Sequence, residues 1–425
     1  VTALKSGFSQ FAQNLQVEVA FSVLAAAKTL KAAGKDVIEL EIGDSPFPAP
    51  DAAKEAGLEA IRTDQSRYCP SMGLPELRQA AAEFVSAQFG IPASRDNVVV
   101  GPGAKPFQQF FCEAFLDPGD GVLVYSPHFP TFIPNIERRG ARVWLSPLKQ
   151  SRMFRPDAAA IEKFVKTDPA PKAVILNSPH NPTGGVADEA DLREIAEVIR
   201  RHKLVLFSDE PYCHMVWTGE HRSMAALPGM LDHAVAAFTF SKSYSMSGYR
   251  LGFAVAASHV ARKIGDLINT SLSCTPPIMQ LAGLAALKQG SEHSQQTMRQ
   301  FASKVRLLTN GLNRIDGFHA LSPAATFYVF PNVKPLCNRL GISSHGLAMY
   351  LLEAADERTG VACLGGECFG AAGAGFLRFS CAESDDRLLA ACNFIEVAVR
   401  RVDRVAAFLG SHPRFRLSQP YVEER

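Results

Sequence analysis

Between residues 97 and 256 the chain alternates short apolar runs with longer stretches in which apolar side chains recur every three or four positions. The runs 97–100, 121–125, 141–145, 172–176, 204–207, 234–240 and 251–256 have strand length and are punctuated by Gly, Pro, Asp and Asn, so they read as buried strands. Between them, Phe107, Phe110, Phe111, Ala114 and Phe115 stand at i, i+3, i+4, i+7 and i+8, which makes a core stripe on one face of a helix. Residues 188–202 predict another helix. Seven strands separated by helices predict an α/β fold with a mostly parallel seven-stranded sheet covered by helices on both faces.

The flanks read differently. Residues 17–33 predict an amphipathic helix with Val17, Phe21, Leu24, Ala25 and Leu30 on its buried face, ended by Gly34. Residues 37–42 alternate as a strand and run into the turn-rich Gly43-Asp44-Ser45-Pro46-Phe47-Pro48. Beyond about residue 311 strands are predicted at 327–330 and 375–380, a helix at 344–355, and a mobile loop over the glycine-rich 366–375. The expected organisation is a large domain at 51–310 and a smaller α+β domain built from 1–50 and 311–425.

Composition narrows the function classes. With 425 residues, 47% hydrophobic and 20% charged, the chain is long enough for two domains. A formal net charge of +2 gives no broad basic field, so neither nucleic acid nor an anionic membrane is expected as a partner. Nine scattered cysteines lack the paired spacing of a disulfide framework or a metal knuckle, so no metal is expected and the thiols read as reduced. No window of 18 apolar residues and no apolar leader core in residues 1–16 occur, and the expectation is a cytoplasmic protein.

The chemistry gathers at strand ends, where open α/β sheets bind ligands. Lys242 follows the apolar run 234–240 inside Ser241-Lys242-Ser243-Tyr244-Ser245, with Arg250 eight positions on. Burial disfavours an ammonium, which suits a lysine at such a place to Schiff-base chemistry. Asp209 ends the run 204–207 with Tyr212 three residues later, Asn181 lies in His180-Asn181-Pro182-Thr183-Gly184, and Phe129 follows the run 121–125. In Gly101-Pro102-Gly103-Ala104-Lys105-Pro106 small residues precede a helix start and leave backbone N–H groups for an anion. Pro106 holds the last glycine position of a dinucleotide fingerprint, so a single phosphate fits better. Arg378, inside a predicted strand, needs an anionic partner. Singly these have ordinary readings: a strand-end lysine snorkels, an Asn before Pro turns the chain, Gly43 is a turn glycine, and Tyr68 is a surface tyrosine.

Together, in order from about Gln10 to Ser384, they resemble the class I/II aminotransferases that use pyridoxal 5'-phosphate (PLP), of PLP fold type I. The resemblance implies that Lys242 holds PLP and shuttles a proton, that Asp209 meets the pyridine nitrogen, and that Asn181 and Tyr212 meet the phenolic oxygen. It implies Phe129 stacked on the ring, and Gly103, Ala104, Lys105, Thr239 and Arg250 around the phosphate. Tyr68, in Tyr68-Cys69-Pro70-Ser71-Met72-Gly73, would reach the neighbouring site of a homodimer. Gly43, Asn181 and Arg378 would receive the substrate α-carboxylate, and a free Lys105 ammonium would meet the distal carboxylate, as in a subgroup of bacterial aspartate aminotransferases. The chain departs from the family pattern at Thr239, where Gly or Ser is usual, and at Gly365-Gly366, where Pro-Gly is usual. The implied reaction is ping-pong transfer of an amino group from an L-amino acid, aspartate or glutamate favoured, to a 2-oxo acid such as 2-oxoglutarate. Alternatives are a β-lyase or synthase on the same scaffold, or an aromatic or aliphatic aminotransferase with Phe129 and Phe132 flooring the pocket. A non-enzymatic PLP sensor is disfavoured because no DNA-binding module precedes residue 17.

Overall fold

The computed structural model describes residues 7–15 and 17–422. Its strands, in chain order, are β1 (Asp36–Glu39), β2 (Val98–Gly101), β3 (Gly121–Ser126), β4 (Arg142–Pro147), β5 (Pro171–Asn177), β6 (Val205–Asp209), β7 (Ala234–Thr239) and β8 (Gly252–Val255). β9 (Tyr328–Val329), β10 (Thr359–Ala362), β11 (Leu364–Gly365) and β12 (Leu377–Ser380) follow. The seven apolar runs become one sheet in the order β2-β8-β7-β6-β5-β3-β4. β8 is antiparallel to both neighbours, and every other neighbouring pair is parallel.

Both faces of this sheet are covered, which is why its strands are continuously apolar. On β3, Val122 and Val124 pack with Phe107 and Phe111 of helix Lys105–Phe115 and Ile264 of helix Ser258–Leu272. Leu123 and Tyr125 point the other way, onto Ile161 of helix Ala158–Thr167 and Ile195 of helix Glu189–Arg201. The last of these helices is started by a capping box: the Asp188 carboxylate accepts the Asp191 N–H at 2.9 Å, and that of Asp191 accepts the Asp188 N–H at 3.1 Å.

β1 leaves the N-terminal segment to pair in parallel with β10, and β11, β12 and β9 form an antiparallel sheet beside it. Leu308, Phe327, Leu336, Tyr350, Phe379 and Phe408 share the core under these strands. Two expectations are corrected here. The helix expected at 17–33 forms at Val19–Ala32, but its buried residues are Val23 and Ala27, while Phe21 is 59% exposed. The face that packs on the core is made by Val23 and Ala27, with Val19, Ala20, Ala26 and Leu30 partly buried beside them. The glycine-rich 366–375 packs as two 3-10 turns, Gly366–Phe369 and Ala371–Gly373. A Cβ on Gly366 or Gly373 would overlap the other's carbonyl oxygen, so these glycines serve close backbone packing. No helix of the described residues is long and apolar enough to cross a membrane.

Gly252, at the start of β8, is packed against the backbone of β7 and of the turn before helix Lys105–Phe115. A Cβ there would stand 2.5 Å from the Phe238 carbonyl oxygen, 2.8 Å from the Gly103 carbonyl carbon and 3.0 Å from the Ala104 nitrogen. All three are backbone atoms that cannot rotate away. Gly252→Ala is therefore expected to lower unfolding stability by roughly 1–3 kcal/mol, as overpacking does. Denaturant unfolding of the two proteins checks this, and an unchanged midpoint would contradict it.

Candidate active site

A cavity of about 480 Å³ opens where the ends of β5, β6 and β7 meet the N-terminal segment and β12. Lys242, Asp209, Tyr212, Ala104, Lys105, Phe129, Asn181, Thr239, Arg250, Gly43 and Arg378 all line it. Gly103 and Tyr68 do not.

The sheet register sets the first group. Asn177 stands opposite Asp209 at the ends of β5 and β6. Its Nδ2 donates to the Asp209 carbonyl at 2.9 Å and lies 3.4 Å from the carboxylate, while its Oδ1 accepts the Asn181 N–H at 2.9 Å. This clamp, which the sequence reading did not assign, fixes Asp209 and Asn181 relative to each other. Asp209 is 4% exposed and in no ion pair with a described residue. Burial pushes its pKa up to about 7, with the neighbouring Glu210 carboxylate adding to the rise and Lys105 opposing it. Glu210 itself is satisfied inside the protein, accepting from Ser208 and Ser223 hydroxyls at 2.7 and 2.8 Å and from the His221 Nε2 at 2.8 Å. Only Asp209 is left to meet a ligand.

Lys242 lies in the turn after β7, half-buried, and its Nζ donates to the Gly43 carbonyl at 2.5 Å. A Cβ on Gly43 would overlap the Tyr328 hydroxyl, so glycine is required where the N-terminal segment crosses the site. Tyr328, also unassigned from sequence, places its hydroxyl 3.1 Å from that of Tyr212. Burial drives the Tyr212 phenol well above its ordinary pKa, so it is a proton donor at neutral pH. Phe129 lines the cavity and packs edge-on against Phe132 at 6.0 Å.

Four cationic side chains face the cavity. Arg250, in a left-handed backbone conformation (φ 50°), donates to the Ser247 and Pro102 carbonyls at 2.8 and 3.2 Å. Its guanidinium lies against Gly103, where a Cβ would come within 2.8 Å of Nη2. Gly103 was expected to offer its N–H to an anion. That N–H instead donates to the Gly101 carbonyl at 2.8 Å, and the residue contributes by lacking a Cβ. In the first turn of helix Lys105–Phe115, Pro106 carries no N–H and that of Phe107 donates to the Ala104 carbonyl at 3.1 Å, which leaves the N–H groups of Ala104 and Lys105 for an anion. The Thr239 hydroxyl accepts the Ser241 N–H at 3.1 Å and lies 3.2 Å from the Leu251 carbonyl.

Arg378, in β12, is 4% exposed. It donates to Asn181 Oδ1 at 3.0 Å and to the Glu41 carbonyl at 2.5 Å, between the rings of Tyr328 and Phe369 at 4.3 and 4.8 Å. Its Nε has no partner, and no described carboxylate pairs with it, so the anion its burial calls for must come from a ligand. Lys105 differs. Its ammonium, expected to be free, is held by the Glu18 carboxylate and lies 5.3 Å from the Phe129 ring centre. Tyr68 is 87% exposed and does not line the cavity.

The family model for aminotransferases of class I and II matches residues 35–395. A probable aspartate/prephenate aminotransferase of Aquifex aeolicus is 32% identical over 406 residues, covering 94% of this chain and 100% of its own length. Aromatic-amino-acid aminotransferase 2 of Thermococcus litoralis is 31% identical over 375 residues, 87% of this chain and 91% of its own. The solved structure of Thermus thermophilus aspartate aminotransferase with maleate is similar at a TM-score of 0.85 and 29% identity, covering 92% of this chain and 100% of that one.

Beside Arg378 the Glu41 carboxyl is fully buried with no hydrogen-bond partner on any other described residue, and burial raises its pKa from 4.5 to about 7, opposed by its own backbone N–H and by Arg378. Between these values the unfolded chain releases the proton and the folded one keeps it. Stability is therefore intact below pH 4.5 and is lost as pH rises toward 7. Glu41→Gln removes that titration, so its thermal midpoint relative to wild type should climb between about pH 5 and pH 8. A difference that stays constant with pH would show that Glu41 is not held protonated.

Proposed function

The chain belongs to the class I and II aminotransferases, enzymes of amino-group transfer, and we propose that it does this work with pyridoxal 5'-phosphate held in the cavity at the strand ends. The observation that carries the reading is the mismatch of charges there: a buried carboxylate, Asp209, without a cation, and two guanidiniums, Arg250 and Arg378, without a carboxylate. A ligand with a ring N–H, a phosphate and a carbonyl satisfies Asp209, Arg250 and Lys242, and a substrate carboxylate satisfies Arg378.

When bound, PLP supplies a carbonyl to take up the amino group and a ring to accept electrons from the substrate Cα. Asp209 then keeps a proton on the ring nitrogen, and that positive charge favours its ionised form. Asn181 and Tyr212 donate to the phenolic oxygen, and Phe129 covers the ring. Ala104, Lys105 through its backbone, Thr239 and Arg250 hold the phosphate. Arg378 fixes the α-carboxylate with the planar fork that suits it. Lys242 Nζ takes the proton from the substrate Cα and returns it as general acid. The donor leaves as a 2-oxo acid, and a second 2-oxo acid takes up the amino group.

The same reading makes the protein a homodimer in which Tyr68 serves the partner's phosphate site. Its 87% exposure, with that of Ile61 and Leu58 on helix Asp51–Arg62, supports this. The pairing of β1 with β10 supports grouping residues 1–50 with 311–425 as a smaller domain beside 51–310. Six of nine cysteines are buried free thiols, in keeping with a reducing cytoplasm.

Borohydride treatment of the PLP-loaded protein, followed by peptide mapping, is expected to leave the cofactor on Lys242. An adduct on another lysine, or none, would defeat the reading. Arg378→Ala should lose about 2 kcal/mol or more of transition-state binding, roughly 30-fold or more in kcat/KM. An unchanged kcat/KM would remove Arg378 from the carboxylate site.

A further inference from the structure

Resting on that reading, we propose that Glu18 sets the substrate class: by occupying Lys105 from within the chain, it reserves the cavity for amino acids with uncharged side chains. Transamination of any amino acid needs one anion site for the cofactor phosphate and one for the α-carboxylate. Arg250 and Arg378 provide them. A dicarboxylic substrate brings one more carboxylate and needs one more cation.

Of the four cations lining the cavity, Lys242, Arg250 and Arg378 bond only to carbonyl or amide oxygens. Lys105 alone is bonded to a carboxylate. That carboxylate comes from outside the sheet. Glu18 precedes helix Val19–Ala32 and reaches the first residue of helix Lys105–Phe115, 87 positions away in sequence. Its side chain is 15% exposed against 42% for Lys105, so the carboxylate is the more buried member of the pair, and both residues line the cavity. A substrate carboxylate approaching Lys105 meets Glu18 at the same ammonium, and two partly desolvated carboxylates there repel. A cationic side chain meets Lys105 and gains Glu18 only by breaking the existing pair. Neither charge is welcome.

Uncharged side chains find complementary surface. Val19, Phe21, Ile42 and Phe129 line the cavity next to the pair, and apolar groups gain by burial against them. The exposed Phe21, which the amphipathic pattern placed in the core, contributes to this wall.

The test uses the PLP-loaded protein and its Glu18→Gln variant. The first readout is the half-reaction with aspartate, arginine, leucine or phenylalanine, followed by cofactor absorbance so that no oxo acid is needed. The second is calorimetric binding of two unreactive acids, maleate and hydrocinnamate. Wild type is expected to react fastest with leucine or phenylalanine and to bind hydrocinnamate at least tenfold more tightly than maleate. In Glu18→Gln the aspartate-to-phenylalanine rate ratio and the maleate-to-hydrocinnamate affinity ratio should each rise roughly tenfold or more, the scale of a charge-assisted hydrogen bond regained. Wild-type preference for aspartate or maleate overturns the proposal, as do ratios unmoved by the substitution. If the loaded protein reacts with no amino acid, the cofactor reading falls, and the affinity ratios still decide for or against Glu18.

Discussion

A carboxylate buried at the end of β6 without a cation beside it is the constraint around which this structure is arranged. Left alone, Asp209 costs several kcal/mol as an ion or takes up a proton, and its pKa near 7 records that balance. The sheet nevertheless holds it in place: β6 lies between β5 and β7, its register sets Asn177 across from Asp209, and Asn177 ties down the backbone of both strand ends. The next residue shows the contrast. Glu210 is equally buried, yet three donors from Ser208, Ser223 and His221 surround it. One acid is completed by donors from the protein itself and the other is not.

The same incompleteness appears at Arg378, where three distant parts of the chain meet. Its guanidinium joins the carbonyl of Glu41 from the N-terminal segment, the amide of Asn181 from the loop after β5, and the ring of Tyr328 from β9. Gly43, two residues after Glu41, passes between Lys242 and Tyr328 with no room for a Cβ. The N-terminal segment is thus threaded through the site. The rings of Tyr328 and Phe369, 4.3 and 4.8 Å from the guanidinium, stabilise its charge where no carboxylate is bonded to it.

The large sheet was legible because strands buried on both faces are apolar throughout, and each observed strand lies within two residues of the run that predicts it. Lys242, Asp209 and Arg378 stood out as polar residues where burial disfavours one, whereas Asn181 read as a turn residue and was singled out only by the family's His-Asn-Pro-Thr-Gly string. What was hidden depends on contacts distant in sequence. Asn177 reads as the last residue of a strand until the register sets it across from Asp209. Tyr328 sits in an apolar run, Phe327-Tyr328-Val329-Phe330, where a tyrosine passes for core. Gly103 shows the limit of a motif: it marked the right turn, but its N–H is spent on Gly101. The N-terminal helix misled because Ala27, weak in any apolar pattern, is buried with Val23, and Phe21 is not.

Of the Glu18–Lys105 pair, only Lys105 lies within the family match. The family match begins at residue 35 and covers the sheet, the lysine turn and Arg378. Glu18 stands outside that span. Named relatives include aspartate/prephenate and aromatic-amino-acid aminotransferases at nearly the same identity, so overall similarity does not separate these substrates. The separation must come from groups that touch the part of the substrate that varies. In this chain a partly exposed lysine meets such a group from the segment that crosses the site, and a single ion pair there changes the charge a substrate encounters without moving any atom of the sheet. Because neither partner helps hold the fold's core, specificity can change at this point while Asp209, Arg250 and Arg378 stay as the sheet sets them.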